Sequence, residues 1–230
     1  MNAAVVTVGD ELLVGDTENT NATWLCDRLD ERGVVVRRVT VVPDEVGEIA
    51  RVVNEYHAEY DAVIVTGGLG PTHDDVTMDA VAAAFGRELE TNDEAAAWLA
   101  ERGYSADDLA AETTHLPADC RPLANETGVA PGAVVESVYV LPGVPTEMKA
   151  MFESVADEFE GTPTHTVTVD VDEPESALLD RFTELQEAFD VSVGSYPGES
   201  VRVKITATSA AEAERAAEWV RERVTLVEPQ

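Results

Sequence analysis

The chain has 230 residues, enough for one large domain or one of ordinary size with a small companion. With 44% hydrophobic residues it can bury a core, so its net charge of −31 is not the mark of a disordered chain. That charge, with no basic patch to release counterions, speaks against nucleic acid or an anionic membrane as a partner.

Acidic residues are spread through every segment, and the only lysines are Lys149 and Lys204. The composition reads as that of a protein from a high-salt cytoplasm, where screening makes self-repulsion tolerable. No apolar run is long enough to span a bilayer. Met1 leads straight into the apolar Ala3–Val8 without a basic region or cleavage site, so no signal peptide is expected. Cys26 and Cys120 are far apart and form no CxxC, which suits two reduced thiols. Together these features predict a cytoplasmic protein.

Ala3–Val8 reads as a fully apolar and therefore central, parallel strand. It runs into GDELLVGDTENTN, which delivers Asp10 and Glu11 at the strand's carboxyl end, where open α/β sheets bind ligands. The Asn19–Thr20–Asn21 cluster caps a helix carrying Trp24, Leu25 and Leu29, which Gly33 ends. Val34–Val42 reads as a second strand, and Asp44 as the cap of a helix with Val46, Ile49, Val52, Val53 and Tyr56 on one face. Val63–Val65 is a short β-branched strand that breaks into Gly67, Gly68 and Gly70, then Pro71, Thr72, His73 and the pair Asp74–Asp75, before another helical pattern. Glycines that permit close approach, followed by a helix N-terminus, suit a phosphate; two carboxylates on the same loop suit a divalent metal.

Two shorter helical patterns follow, over Glu94–Arg102 and Ala106–Glu112, then a connector over Pro117–Pro122. The turn-rich NETGVAPG, Asn125 to Gly132, precedes strands at Ala133–Glu136 and Ser137–Leu141. The second strand ends in LPGVPTEM, with Gly143 in the turn, Pro145 at the first position of a helix and Lys149 in its opening turns. The β-α alternation predicts a mostly parallel sheet with helices on both faces. From about Thr162 the pattern changes to β-α-β-β-α, setting a domain of residues 1–161 beside a small α+β domain of 162–230.

Asp10, Glu11, Asp74 and Asp75 each suit helix capping, yet two acidic pairs at strand ends converge if the strands are neighbours, and their repulsion then calls for a cation. His73 suits a metal ligand, a base or an exposed turn residue, while His57, His115 and His165 are read as surface residues. Lys149 suits either a phosphate-facing cation or a side chain lying along its own helix. The glycine loop lacks the GK[ST] ending of a triphosphate-binding P-loop.

GDELLVGDTENTN, TGGLGPTHDDVT, NETGVAPG and LPGVPTEM, in that order, resemble the amino-terminal region of competence/damage-inducible A (CinA) proteins, within the wider MoaB/Mog molybdopterin-binding superfamily. The segment from about residue 162 is similar to the small KH-like domain that follows in those proteins. The resemblance implies a three-layer αβα domain, a homo-oligomer (dimer or trimer), a divalent metal (Mg, Mn or Co) and hydrolysis of a nucleotide diphosphate such as ADP-ribose. Related domains of eukaryotic FAD synthases hydrolyse FAD similarly. Carried onto this chain, it implies Asp10, Glu11, Asp74 and Asp75 as metal ligands and Asp75, Asp74, Lys149 and His73 in catalysis. Gly67, Gly68, Gly70, Pro71, Thr72, Asn125, Gly128, Gly143 and Pro145 would then line the substrate. Longer members add a nicotinamide-nucleotide amidase domain, which is not expected here. The molybdopterin-handling branch has an arginine where this chain has Asp74, an exchange that favours metal-dependent hydrolysis over binding of an anionic pterin.

Overall fold

The computed structural model describes residues 1–104 and 113–227. The chain divides into two compact units, residues 1–161 and 162–230. In the first, β1 (Asn2–Val8), β2 (Val35–Val42), β3 (Ala62–Thr66), β6 (Arg121–Leu123), β7 (Gly132–Val135) and β8 (Val138–Leu141) form one sheet in the order β2-β1-β3-β8-β7-β6. The first four strands in that order run parallel, and β7 and β6 are antiparallel to their neighbours. A two-stranded ribbon, β4 (Leu89–Thr91) with β5 (His115–Pro117), lies outside this sheet.

Helices cover both faces because the central strands are apolar on both sides. Leu25 and Leu29 of α2 (Thr20–Glu31) join Met148 and Phe152 of α6 (Pro145–Val155) against Ala3, Val5 and Ile64. On the other face, Ile49 and Val53 of α3 (Val46–Glu59) join Ala80 and Val81 of α4 (Thr77–Phe85) against Ala4, Val6, Val63 and Val65. The result is the three-layer α/β sandwich that the β-α alternation and the resemblance implied.

Local details depart from the sequence pattern. The run Val34–Val42 is not one regular strand: Ala3 pairs with Val36 and Ala4 with Arg38, so Arg37 is the extra residue of a bulge. The expected connector at Pro117–Pro122 instead ends β5 and starts β6. A short helix α1 (Asp10–Leu13) follows β1 directly, and α5 occupies Asp93–Glu101. The helix expected over residues 106–112 lies outside the described residues. Among the described residues no helix is long and apolar enough to cross a membrane. Cys26 and Cys120 are free thiols, and burial pushes both above their ordinary pKa.

In the second unit, β9 (His165–Val171), β10 (Ser192–Pro197) and β11 (Val201–Ala207) form an antiparallel sheet in the order β10-β11-β9, packed on α7 (Leu179–Ala188) and α8 (Ala210–Arg221). The helix expected from Glu173 starts later, because Pro174 leads into a 3-10 turn over Glu175–Ala177. Glu173 stands free of that helix and accepts hydrogen bonds from Arg181 and from the backbone N–H of Thr225, each at 2.6 Å. These bonds, Arg181 first, hold its carboxyl below the usual range. A depressed folded pKa contributes stability above the unfolded value that is lost as pH falls through the folded one. Glu173→Gln should therefore lower the thermal midpoint at neutral pH, and the gap to wild type should close as the pH falls through and below the ordinary carboxylate range.

Candidate functional site

Parallel strands deliver their following loops to one edge, and here β1, β2, β3 and β8 bring together four loops that are distant in sequence. The Gly9 N–H donates to the Val42 carbonyl at 3.1 Å, tying the end of β1 to the end of β2. One residue on, the Asp10 N–H donates to the Asp44 carboxylate at 2.9 Å. Partial burial raises the Asp44 pKa, the Asp10 hydrogen bond opposes the rise, and the charges of Asp10, Glu11 and Asp74 add to it. Asp44 thus feels the charges of carboxylates from two other loops. The sequence pattern marked Asp10, Glu11 and Asp74 but assigned Asp44 only to capping. Its place, directly after a predicted parallel strand, was the signal.

The two members of the Asp74–Asp75 pair do different work. Asp75 accepts from the Thr72 N–H at 2.9 Å and from the Thr72 hydroxyl, closing a tight turn. Asp74 is held below its usual pKa. His73 is fully exposed, its side chain 99% accessible and 3.9 Å from Asp74. Thus Asp74 acts on the acidic edge, while Asp75 lines a cavity on the α4 side of the loop.

That cavity has a volume of about 590 Å3. Its floor and near wall are Gly68, Leu69, Gly70, Pro71 and Thr72, with Met78 and Asp79 from α4. Leu89, His115 and Leu116 of the β4-β5 ribbon and Val129–Pro131 close the far side. Its polar side chains are Thr72, Asp75, Asp79, Thr113 and His115; among the described residues no lysine or arginine lines it. His115, read from the sequence as a surface residue, belongs to this cavity, because the ribbon that carries it was not legible.

The glycines were expected to admit a phosphate, and the structure shows first what they admit from the protein itself. A Cβ on Gly67 would lie 2.3 Å from the Val8 carbonyl oxygen, and one on Gly68 would lie 2.3 Å from the Thr77 hydroxyl. Both residues have positive φ, 107° and 65°. Gly70 makes room for the Asp75 carboxylate, Gly128 for that of Glu147, and Gly143 packs on the Gly67 backbone. Beneath them Thr66 donates to the Pro142 carbonyl at 2.6 Å, and Asn21 donates to the Gly143 carbonyl at 2.7 Å. The two Gly/Pro junctions are thereby locked side by side. At that edge α3, α4 and α6 begin without a side-chain cap, whereas Asn19 and Asn92 cap α2 and α5. The Thr77 N–H of α4 is taken by the Gly68 carbonyl and Pro145 of α6 has none, which leaves the following N–H groups of those first turns to face an anion.

Three other expected site residues lie outside the lining of this cavity. Asn125 is 1% exposed. Its amide bonds the Ala130 carbonyl, the Glu147 carboxylate and the Gly128 N–H, and so shapes its loop. Lys149 lies with its ammonium 5.6 Å from the Trp24 ring centroid, outside the cavity lining. Pro145 opens α6, as its fixed φ suits. With no role assigned to it by the sequence reading, Arg102 donates to the carbonyls of Asn125, Glu126 and Gly128, clamping the same loop from the C-cap of α5. Arg102→Ala should cost about 1–2 kcal/mol for these exposed charge-assisted bonds, and hydrogen exchange over residues 125–128 should speed up.

Among the described residues no group of three or more His, Cys, Asp or Glu converges closely enough to cage a metal. A divalent ion held by one or two carboxylates together with substrate phosphates, as Mg2+ ordinarily is, would need no such cage.

Fold and site together define an open α/β protein with a ligand crevice at the carboxyl edge of its parallel strands. Residues 4–160 match the family described as a probable molybdopterin binding domain, and the chain belongs to that family. Residues 163–227 match the middle domain of FAD synthase. A protein of Archaeoglobus fulgidus is 37% identical over 198 residues, covering 86% of each chain. One of Thermococcus kodakarensis is 38% identical over 244 residues, covering 97% of each. Among solved structures, CinA of Thermoplasma acidophilum, a protein of unknown function, is 37% identical over 69% of this chain and 97% of its own, with a TM-score of 0.65.

Proposed function

We propose that the chain is a CinA-type hydrolase that splits a nucleotide diphosphate of the ADP-ribose or FAD kind with the help of a divalent metal. One observation carries this reading. A roomy cavity bounded by the glycine loop carries the carboxylates of Asp75 and Asp79 and, among the described residues, no lysine or arginine in its lining, while Asp74 of the same loop belongs to the acidic edge with Asp44, Asp10 and Glu11. A diphosphate entering alone would meet net repulsion there; one that brings a divalent cation would not.

Asp74 with Asp44, Asp10 and Glu11 would hold the cation, and its chemistry there is to polarise a phosphoryl oxygen and acidify a water. The chain's own residues do the rest. The N-termini of α4 and α6 share the phosphate charge. The Thr72–Asp75 turn sets the loop's shape, and the Asp75 oxygen not engaged by Thr72 orients a water. The apolar wall of Met78, Leu89, Leu116 and Pro131 encloses the base or its ribose. Lys149 stands outside this arrangement.

The family description favours a second reading, a molybdopterin-binding protein without hydrolase activity. One experiment separates the two. The protein in molar KCl is incubated with ADP-ribose or FAD, with and without Mg2+, Mn2+ or Co2+, and AMP is measured. The proposal expects metal-dependent AMP that falls at least 100-fold in Asp75→Ala, while that variant stays folded because its turn is on the surface. No AMP under any condition, together with tight pterin binding, overturns it.

A further inference from the structure

A sheet packed on one side leaves its other face to solvent, because side chains alternate between the two faces of each strand. In the small unit the buried valines of β9 and β11 pack with residues of α7 and α8, so every second residue of the three strands stands on an open face. The pairing register sets that face out in rows. Tyr196, Arg202 and Asp170 form one row, and Gly194, Lys204 and Thr168 the next. The row beyond carries only hydroxyls, with Thr166 and Thr206 bonded to each other at 2.7 Å.

Two features set this face apart from the rest of the chain. Its charge is positive: Arg202 and Lys204 are exposed, and Asp170 is the single acid in the three rows, whereas the whole chain carries −31. Asp170 does not bind Arg202 closely, since they lie 3.8 Å apart with both side chains more than half exposed. The face also presents a flat ring. Tyr196 is 55% exposed. Its ring leans over Gly194, where a Cβ would stand 3.3 Å from Cε2 and from the hydroxyl oxygen. With no side chain at 194 the ring settles along the strand, its centroid 5.4 Å from the Lys204 ammonium. Along the sequence this grouping is hidden, because Val203 separates the two cations and the ring comes from another strand.

We propose that this face binds a mononucleotide, with the base stacked on Tyr196 and the phosphate held by Lys204 and Arg202. Stacking on an aromatic side chain tolerates any base, and an arginine fork matches a pair of phosphate oxygens. Thr168 and Thr206, the neighbours of Lys204 across and along the sheet, offer neutral hydrogen-bonding groups to the ribose. The number of groups limits the occupant. One exposed ring accommodates one base, and two cations suit the charge of about −2 on one phosphate. A longer single strand would bring further phosphates against a chain carrying −31. An acidic peptide would meet the cations but leave the ring unused.

The test is titration of the full chain with AMP, followed through the amide NMR shifts of residues 192–206, in about 0.1 M and in molar KCl. These amides report the small unit, so a ligand in the crevice of the first unit does not mimic the result. A saturable shift is expected over Gly194–Tyr196 and Arg202–Lys204, with weaker binding in molar KCl than at low salt. Adenosine and inorganic phosphate, each carrying part of the recognised chemistry, should bind roughly tenfold more weakly or worse. Tyr196→Ala and Lys204→Glu should each weaken AMP by a similar factor. Asp170→Asn removes the acid of this face and should tighten AMP about twofold, which a merely structural role would not do. Absence of a saturable shift overturns the proposal. So does inorganic phosphate that binds as tightly as AMP, or a single-stranded oligonucleotide or polyglutamate that binds this face more tightly. The titration of the wild-type chain decides the matter even if a variant misfolds.

Discussion

Replacing Gly67 by alanine should lower stability by about 3 kcal/mol or more, a drop of roughly 10 °C in the thermal midpoint for a chain of this size. Two effects add. The residue has a φ of 107°, which an L side chain rarely adopts, and the new methyl would stand 2.3 Å from the Val8 carbonyl oxygen. Val8 cannot yield, because β1 is held by β2 on one side and β3 on the other. Gly70→Ala is the informative contrast. Its φ is ordinary, and its methyl would meet only the Asp75 carboxylate, at 2.6 Å. That side chain can swing away, so the fold should survive within about 1 kcal/mol while the Thr72–Asp75 turn opens. Melting curves and AMP formation measured on both variants separate a glycine that holds the fold from one that shapes the site. Equal stability losses in the two would contradict the distinction.

The second large effect is expected from salt. Forty-six acidic residues face fifteen lysines and arginines, and many of the ion pairs are exposed and close in sequence, such as Arg51 with Glu48 and Glu55. Such pairs are worth little, so they cannot offset the repulsion of the surplus. Raising salt from 0.1 to about 1 M shortens the Debye length from about 10 to 3 Å. If self-repulsion amounts to a few kcal/mol, the midpoint should rise by about 10 °C. Differential scanning calorimetry across KCl concentrations measures this, and a flat midpoint would remove the high-salt reading of the composition.

The two effects meet at the acidic edge. Asp44 lies there in the field of Asp10, Glu11 and Asp74. A divalent ligand should therefore stabilise the protein most at low ionic strength, where that local field is least screened. Thermal shifts on adding Mn2+ at low and at molar KCl should show a larger gain in the former.

Much of the architecture follows from local pattern. Apolar runs such as Ala3–Val8 and Val63–Val65, alternating with amphipathic helices, dictate parallel strands covered on both faces, since nothing else buries both sides of such strands. The same logic places the Asp10–Glu11 and Asp74–Asp75 pairs at one edge. The change of pattern near Thr162 falls where the second compact unit begins. Short elements were not legible: β4, β5 and β6 have three residues each, too few to show a period. With them went His115 and the far wall of the cavity.

What a residue type can do was written in the sequence; which neighbour it meets was decided only by tertiary structure. Asp44 looks like any helix cap until β1 and β2 lie side by side and its carboxylate receives the Asp10 N–H. Asn125 and Lys149 carry groups suited to a ligand, yet packing gives the first to its own loop and lays the second over Trp24. The glycines of the loop at Gly67–Gly70 are fixed by sequence as places where something comes close. Only the folded chain shows that the Val8 carbonyl, the Thr77 hydroxyl and the Asp75 carboxylate come first, because close approach is a property of two segments and a sequence pattern describes one at a time.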